Sequence, residues 1–361
     1  MTISSKDGLV DQISFFNKTV ASKDISNYYL LRNGEFAYNK SYSVGYDFGS
    51  IKRLERYPMG ALSTLYICFT LTKHNGDYIK TYFDSLKWYK EIYIISAEGA
   101  RNHGLLNVPT DEFFDTYHYI TDNPDEQQKI AAFMNLIDKR IQKQQQLLEN
   151  IKKYKRGSLS ALFPKKREIT PQYRFAGFTK PWEQRKLGEV GSVSMCRRIF
   201  KEQTSESGDI PFYKIGTFGG EADAFISKEL FEEYKAKSPY PKIGDILISA
   251  SGSIGRTVEF TGENEYFQDS NIVWLNHDEH LNNSFLKCFY SVVKWAGIEG
   301  STIKRLYNDN ILNTVITLPS VAEQKKIGSY FANLDRLITL HQHKYDTLLS
   351  LKNAILQQMF I

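Results

Sequence analysis

Apolar residues recur at spacings of three, four and seven over two stretches of the chain, residues 126–163 and 323–360. This spacing places them on one face of a helix, where they can pack against a partner helix. The pattern therefore predicts two long helices that share an interface. The predicted helix-pair or subunit interface consists of Ile130, Phe133, Ile137, Ile141 and Leu148 in the first helix and Ile327, Tyr330, Leu334, Ile338, Tyr345 and Leu348 in the second.

The two helical stretches are copies of one another. They align without a gap from Glu126 and Glu323 onwards, and ten of the 38 aligned positions are identical. Asn123 before a proline and Ser320 before Glu323 are typical caps at helix starts. Two matching apolar faces in one chain favour an antiparallel pair. Gln144 aligns with His341 where both faces break, either as a polar layer that fixes register or as two residues at the edge of the interface.

The segments that precede the two helices are also similar, although more weakly. "RNGEFAYNKS" (32–41) resembles "KIGDILISAS" (242–251), "LSTLYICF" (62–69) resembles "DSNIVWLN" (269–276), and residues 98–121 resemble residues 299–319. Alternating Tyr, Phe, Ile, Val and Thr between glycines predict short strands. The predicted fold class is α+β: two mixed α/β domains separated by two long antiparallel helices, as a pseudo-two-fold internal repeat.

The repeat also predicts where the domains begin and end. The second domain opens with "WEQRKLGEV" (182–190), for which the first domain has no counterpart. We therefore expect a first domain truncated at its N-terminus, by nature, by a misassigned start or by splitting of a longer protein. The predicted parts are a first domain at 1–122, a helix at 123–163, a connector at 164–181, a second domain at 182–319 and a second helix at 320–361.

Composition excludes several protein classes. No apolar run approaches the roughly 20 residues that a membrane helix needs. Cys68, Cys196 and Cys288 stand singly, which argues against a zinc site or a disulfide scaffold and favours a cytoplasmic location. The net charge of +5 is concentrated in residues 123–170, which hold 11 Lys and Arg against 5 Asp and Glu. The basic stretch 152–167 is either a phosphate-facing patch or a solvated helix face.

No catalytic constellation is present in the sequence. The phosphate-binding motif G-x-x-x-x-G-K-[ST] does not occur, and "SGSIGR" (251–256) is better interpreted as a tight turn between strands. The Asn/Asp-Pro-Pro-aromatic tetrapeptide of amino-group methylases is missing too. "EEYK" (232–235) is typical of a surface helix. We therefore predict no catalytic residue, no metal site and no cofactor bound by this chain.

Polar and basic side chains on predicted loops favour binding to a nucleic acid instead. Long donors and amides on turns are the residue types that contact phosphates and read base edges. The same residues also occupy ordinary turns, so the pattern is only moderately specific. The candidates are Lys40, Tyr42, Tyr46, Lys52, Arg53 and Arg56 in the first domain and Lys214, Ser249, Ser251, Ser253, Arg256, Gln268, Asn271, Lys304 and Arg305 in the second.

The order of these motifs resembles the specificity subunit of type I restriction–modification systems. The resemblance is carried by "RFAGFTKPWEQRKLGEV" (174–190), "KIGDILISASGSIGRT" (242–257), "QDSNIV" (268–273) and the helix openings "DEQQKI" and "AEQKKI". It extends over nearly the whole chain, and the duplicated order is more specific than any one motif. The missing front of the first domain departs from the family pattern.

The resemblance implies a non-catalytic subunit that binds double-stranded DNA. Two target recognition domains would each read half of a bipartite site, and the helices would set the spacing between them. A half-site spacing of one turn of DNA, roughly 34–36 Å, is shorter than the predicted helices. The helices would also dock two methyltransferase subunits, which restriction subunits join. S-adenosylmethionine, ATP and Mg²⁺ would belong to those partners, and no membrane is implied.

Three alternatives remain at this stage. The chain could be a truncated or silent recognition-domain cassette that does not assemble, or a helical scaffold whose domains bind other proteins. A self-contained modification enzyme would need the tetrapeptide and glycine loop that are missing. Binding to duplex DNA that weakens steeply with salt would separate the specificity subunit from the scaffold.

Overall fold

The computed structural model describes residues 1–17, 25–96, 106–165, 168–298 and 304–360. The chain divides into two compact units. Unit 1 comprises Met1–Leu147 and His341–Ile361, and unit 2 comprises Leu148–Leu340. Each unit therefore contains one mixed α/β domain together with a part of both long helices. The beginnings of the duplicated segments at 98–121 and 299–319 lie outside the described residues.

Unit 1 consists of short strands followed by helices and by the first long helix. Its elements are β1 (Thr2–Ser4), β2 (Gly8–Val10), α1 (Gln12–Phe16), β3 (Tyr29–Arg32), β4 (Phe36–Asn39), β5 (Ser50–Arg53), β6 (Met59–Leu62), β7 (Ile67–Phe69), α2 (Gly76–Asp84), α3 (Tyr89–Ile95), α4 (Thr110–Phe114) and the first part of α5 (Pro124–Leu162).

Unit 2 begins within α5 and ends within the second long helix. Its further elements are β8 (Glu183–Lys186), α6 (Leu187–Val190), β9 (Gly191–Ser194), β10 (Ile210–Tyr213), β11 (Phe225–Ile226), α7 (Lys228–Lys237), β12 (Ile246–Ser249), β13 (Thr257–Glu259), β14 (Tyr266–Phe267), β15 (Ile272–His277), α8 (Asn283–Val292), α9 (Asn308–Leu312), β16 (Val315–Leu318) and the first part of α10 (Val321–Met359).

The two domains share one antiparallel sheet pattern. In unit 1 the strand order is β5-β4-β7, and in unit 2 it is β13-β12-β15-β9. The central strands hold the same register, since Phe36 faces Arg53 and Ile246 faces Glu259. Burial on both faces explains why β12 is apolar almost throughout. The duplication inferred from the sequence is therefore present in the sheets, although unit 2 has the additional strand β9.

A buried glutamine attaches each domain to its long helix. Gln127 and Gln324, equivalent residues of the two helical copies, are 3% and 1% exposed. Each side-chain oxygen accepts a hydrogen bond from the backbone N–H of Asn75 or Asn282, at 2.9 and 2.8 Å. Each amide group donates to the carbonyl just before its long helix, at 2.7 and 3.0 Å. Since Asn75 and Asn282 cap α2 and α8, each glutamine fixes a domain helix against a long helix.

The long helices run antiparallel to one another within each unit. In unit 1 Asp138 pairs with Lys352 at 2.6 Å, and in unit 2 Lys155 pairs with Asp335. The residues of these two ion pairs are equivalent under the repeat, because Asp138 corresponds to Asp335 and Lys155 to Lys352. The same contact is thus made twice by the same two positions of the repeat.

Gln144 and His341 form a polar layer in unit 1. The Gln144 amide group donates to Nδ1 and to the backbone oxygen of His341, each at 2.9 Å. Gln144 is 7% exposed. Of the two interpretations of this pair, the structure supports the polar layer. The repeat pairs each of these residues with its own equivalent.

One residue of the predicted interface lies elsewhere. Phe133 is 47% exposed, and the buried positions beside it belong to Ala131 and Met134. Phe133 fits the spacing of the apolar face, but spacing alone does not distinguish it from its buried neighbours. Ala131 corresponds to Gly328, whose Cβ would lie 2.6 Å from Ser284 Cβ of α8. Small residues at this position are required by the close approach of the domain to the helix.

Candidate nucleic-acid interface

The "SGSIGR" segment is a turn between β12 and β13, as the sequence indicated. Gly252 and Gly255 have φ values of +63° and +85°, which favour glycine. The Ser249 hydroxyl donates to the Ser253 carbonyl and accepts from the Arg256 N–H at 2.9 Å. Ser249 therefore holds the turn closed from inside and is only 1% exposed.

Two other segments flank this turn. The Ser251 hydroxyl donates to Asn271 Oδ1 at 2.7 Å, and the Ala250 N–H donates to the Asn271 carbonyl. On the other side the Gly252 N–H donates to the Lys304 carbonyl at 3.1 Å, and Ser251 forms a β-bridge with Arg305. Residues far apart in sequence thus meet at one end of the sheet.

A fourth segment, residues 214–218, completes this group. The Ile215 N–H donates to Gln268 Oε1 at 2.9 Å, and Arg256 Nη1 donates to the Phe218 carbonyl at 2.8 Å. Lys214 pairs with Asp223 at 2.9 Å. The loop cluster is defined here as residues 214–218, 249–256, 268–271 and 304–305, and it includes every candidate that the sequence nominated in the second domain.

Within the loop cluster the candidates serve two purposes. Ser249, Ser251, Gln268 and Asn271 make internal hydrogen bonds and are buried or half-buried. Their role is to shape the loops. The solvent-facing side chains belong to Ser253, Arg256, Lys304 and Arg305. Three cations and a hydroxyl on one loop surface provide donors for phosphates and base edges.

The candidates in unit 1 do not form a comparable group. Lys52 pairs with Asp84 at 2.8 Å, and Arg53 bonds to both Glu55 and Asp77. Burial alone would lower the pKa of Lys52, but the Asp84 carboxylate outweighs it and raises that pKa. Both cations are therefore used within the unit. The exposed Arg56 lies apart from the turn.

The β4–β5 turn of unit 1 carries aromatic side chains, whereas the corresponding β12–β13 turn of unit 2 carries Arg256. Tyr42 is 55% exposed at this turn. Tyr46 lies 5.3 Å beneath the Lys52 ammonium. Lys40 donates from Nζ to the Val108 carbonyl at 3.5 Å. The accessible chemistry of the two turns therefore differs, as two different recognition surfaces would require.

The important residues that sequence reasoning missed are the glutamines Gln127 and Gln324. Both lie in the duplicated helix openings, and both are identical polar residues at positions that point into the structure. An identical polar residue retained in both copies next to the apolar face was the available signal. The periodicity of apolar residues carries no information about such a polar position.

Reactive or metal-binding groups are not gathered at the loop cluster. Among the described residues no group of three or more His, Cys, Asp or Glu side chains could hold a metal ion. Burial raises the pKa of Cys196 and Cys288 to about 12, so both thiols stay protonated at neutral pH. Within the same ranges, no helix has the length and apolar character needed to cross a membrane.

Comparisons with known sequences relate the chain to a family and to a curated relative. Residues 179–350 match the family described as type I restriction modification DNA specificity domain. The chain is also 61% identical over 155 residues to a putative type I restriction enzyme specificity subunit, S.HindORF215P, of Haemophilus influenzae. That alignment covers 43% of this chain and 40% of the relative. The aligned part thus spans about two-fifths of the relative's length.

Solved structures share the fold at low sequence identity. A chain from a study of complex assembly and conformational transition of the type I R-M system matches with a TM-score of 0.57, covering 91% of this chain and 82% of that one. The type I restriction-modification S subunit from M. genitalium matches with a TM-score of 0.53, covering 92% and 84%. Both are 16% identical to this chain, so these likenesses establish the α+β fold.

Proposed function

We propose that this chain recognises DNA sequence for a type I restriction–modification system, because residues 179–350 match the DNA specificity domain family of those systems. A stretch of 155 residues is similar in sequence to a type I specificity subunit, and solved structures from type I systems share the fold over about nine-tenths of the chain. The observation that carries the proposal is the loop cluster, where segments far apart in sequence present Ser253, Arg256, Lys304 and Arg305 on one surface.

In this proposal the exposed cations contact phosphates and the loop edges read bases. Arg256 is held by the Phe218 carbonyl, which limits the positions its guanidinium can take. Lys304 and Arg305 are exposed and their backbone is tied to the turn, so they present charge from a fixed loop. Prepositioned donors lose less conformational entropy on binding.

We further propose that the two units read separate halves of a bipartite site. The shared sheet pattern supports two readers, and the aromatic and cationic turns support two different half-sites. The long helices would dock methyltransferase subunits, which restriction subunits join. Exposed apolar side chains on these helices support a docking role. They are Leu136 and Leu147 in unit 1 and Leu337 and Leu340 in unit 2.

Genome-wide mapping of methylated adenines, with the gene present and deleted, tests the function as a whole. A two-part methylation motif that disappears on deletion is the expected result. An unchanged methylation pattern, together with the absence of salt-dependent binding to duplex DNA, would indicate a scaffold that does not recognise DNA. A retained salt-dependent affinity without methylation would instead indicate a recognition cassette that does not assemble.

The loop cluster is tested separately by removing its cations. Lys304→Ala and Arg305→Ala should each weaken DNA binding and reduce the slope of log affinity against log salt by about 1 per lost phosphate contact. The matched control is Lys228→Ala, an exposed lysine of α7 outside the loop cluster. Equal effects of Lys228→Ala and Arg305→Ala would contradict the assignment of this surface.

A further inference from the structure

In unit 2 a segment of the connector lies across the start of α10 and continues into a strand. This segment, residues 172–186, is called the strap. Arg174 donates from Nε and Nη2 to the two carboxylate oxygens of Glu323 at 2.9 and 2.7 Å, and Glu323 is 1% exposed. A bidentate, buried ion pair of this type is strong and geometrically specific.

Aromatic contacts continue along the strap. The Phe175 ring packs edge-on against Tyr330 at 5.6 Å and lies 5.8 Å beneath the Lys326 ammonium. Trp182 packs at 6.0 Å from Phe285 of α8. The strap then becomes β8, which pairs antiparallel with β16, the strand that leads into α10. Glu323, Lys326 and Tyr330 therefore form one receptor surface, and β16 forms its second part.

The same receptor residues occur in unit 1. Under the repeat, Glu126, Lys129 and Phe133 correspond to Glu323, Lys326 and Tyr330. All three are exposed, with Phe133 at 47%. The hydrogen bond described for the Glu126 carboxylate comes from the Thr121 hydroxyl at 2.6 Å. None of the residues that the structure describes forms an ion pair with Glu126.

The strand part of the surface is also open in unit 1. Residues 117–121 lead into α5 as β16 leads into α10. No strand of the described ranges pairs with them. Tyr117 and Tyr119 are 80% and 84% exposed. A backbone segment without a neighbouring strand can serve as a template for strand addition.

We propose that residues 117–133 of unit 1 form a docking site for a strap-like segment of another polypeptide. The occupant carries an arginine followed by an aromatic residue, and then an extended run. Its arginine binds the Glu126 carboxylate, its aromatic ring covers Phe133 beside Lys129, and its extended run adds a strand along 117–120. The equivalent surface of unit 2, which the strap covers, supports this docking site. The proposal does not depend on DNA recognition.

The probe is a labelled synthetic peptide with the sequence of residues 171–186, titrated into the full chain and followed by fluorescence anisotropy. Saturable binding at one peptide per chain is expected. Glu126→Gln and Phe133→Ser in the chain, and Arg174→Ala in the peptide, should each weaken binding by ~10-fold or more, the equivalent of about 1.4 kcal/mol. Glu149→Gln in α5 and Leu351→Ser in α10, at exposed positions outside the docking site, are the matched controls.

Hydrogen exchange then locates the peptide. Protection of residues 117–133 supports the docking site. Protection confined to 315–331 would mean that the peptide only exchanges with the chain's own strap in unit 2, which would overturn the proposal. The absence of saturable binding up to ~1 mM peptide, or equal binding by the Glu126→Gln and Glu149→Gln variants, would overturn it too.

Discussion

The two units differ at the junction where a domain helix, α2 or α8, meets the long helices. Where α2 meets the long helices in unit 1, three lysines surround two carboxylates. Asp84 lies 2.8 Å from Lys52 and 3.7 Å from Lys80. Lys352 reaches Asp138 at 2.6 Å, and Lys80 lies 3.9 Å from the same aspartate. Charge complementarity fills this junction.

In unit 2 the equivalent junction is partly empty. Counted from the capping asparagines, Ser291 stands where unit 1 has Asp84, and Lys287 stands where it has Lys80. Lys287 turns to Glu259 at 3.1 Å instead. A pocket of about 460 Å³ remains beside Ser291 and Lys287. The same backbone arrangement thus holds a compact charge cluster in unit 1 and a pocket lined by separate ion pairs in unit 2.

The largest loss of stability is expected when Asp84 of unit 1 is replaced by serine, the residue at the equivalent position of unit 2. Asp84→Ser leaves Lys52 and Lys80 without their shared carboxylate in a half-buried site. We expect a loss of about 3 kcal/mol in the free energy of unfolding, because breaking such a cluster leaves uncompensated charge. Urea denaturation measures the loss, and Glu149→Ser, at an exposed position, serves as control.

Acid provides the same comparison without a mutation. Burial raises the pKa of Asp84, but the lysines outweigh this and hold it below its ordinary value. A carboxyl with a lowered pKa stabilises the fold above its unfolded pKa of about 4 and loses that contribution as the pH falls further. The stability difference between the native chain and Asp84→Ser should therefore shrink below about pH 4. A constant difference would show that the charge of Asp84 is not the cause.

The glutamine attachment should cost nearly as much and should be equal in both units. Gln127→Ala and Gln324→Ala each leave the partly buried backbone N–H of a capping asparagine without its partner, which costs about 1–3 kcal/mol. Hydrogen exchange of α2 and α8 would report which domain helix loosens. Gln145→Ala, at an exposed position of α5, is the control. If only one unit responds, the shared attachment is refuted.

A smaller loss of stability is expected where α10 packs against α8 in unit 2. Gly328→Ala forces a Cβ to within 2.6 Å of Ser284 Cβ, whereas unit 1 already carries Ala131 there. We expect a loss of about 1–2 kcal/mol, as for overpacking elsewhere. Gly157→Ala, with nothing within 4 Å of the added carbon, should instead gain up to about 1 kcal/mol. Thermal denaturation of the two variants would show shifts of opposite sign.

The smallest effect is expected at the polar layer, where Gln144 of one helix copy contacts its equivalent, His341, in the other. Gln144→Leu leaves Nδ1 of His341 without its donor and should cost about 1 kcal/mol. Adding His341→Leu removes both polar partners and should recover the loss. A double variant that is less stable than the single one, measured in urea, would contradict this account.

Much of the frame could be predicted from the sequence. The doubled helix openings, the capping residues Asn123 and Ser320 and the strand duplication all follow local rules of spacing and hydrogen bonding. In the structure Asn123 caps α5 through its side-chain oxygen. The Ser320 hydroxyl accepts from the Glu323 N–H at 3.4 Å. These features depend on neighbours in sequence, which is why the pattern reveals them.

The partners of individual side chains could not be predicted, because they are set by residues distant in sequence. Lys52 and Arg53 were nominated for DNA contact by type and by loop context. Their carboxylate partners come from α2. Glu323 lies three residues after the cap Ser320, but its carboxylate pairs with Arg174 of the strap. The charge of a side chain can be read from the sequence, whereas its partner is decided by the packing.

The two repeat-related ion pairs have a consequence for the gene as well as for the protein. Because Asp138 and Asp335 are equivalent, as are Lys155 and Lys352, either helix copy carries one acid and one base at matching positions. A DNA crossover that replaced one helix-coding copy with the other would leave both ion pairs in place. The Gln144–His341 layer would change to two identical residues. Neither ion pair therefore depends on which helix copy occupies which position.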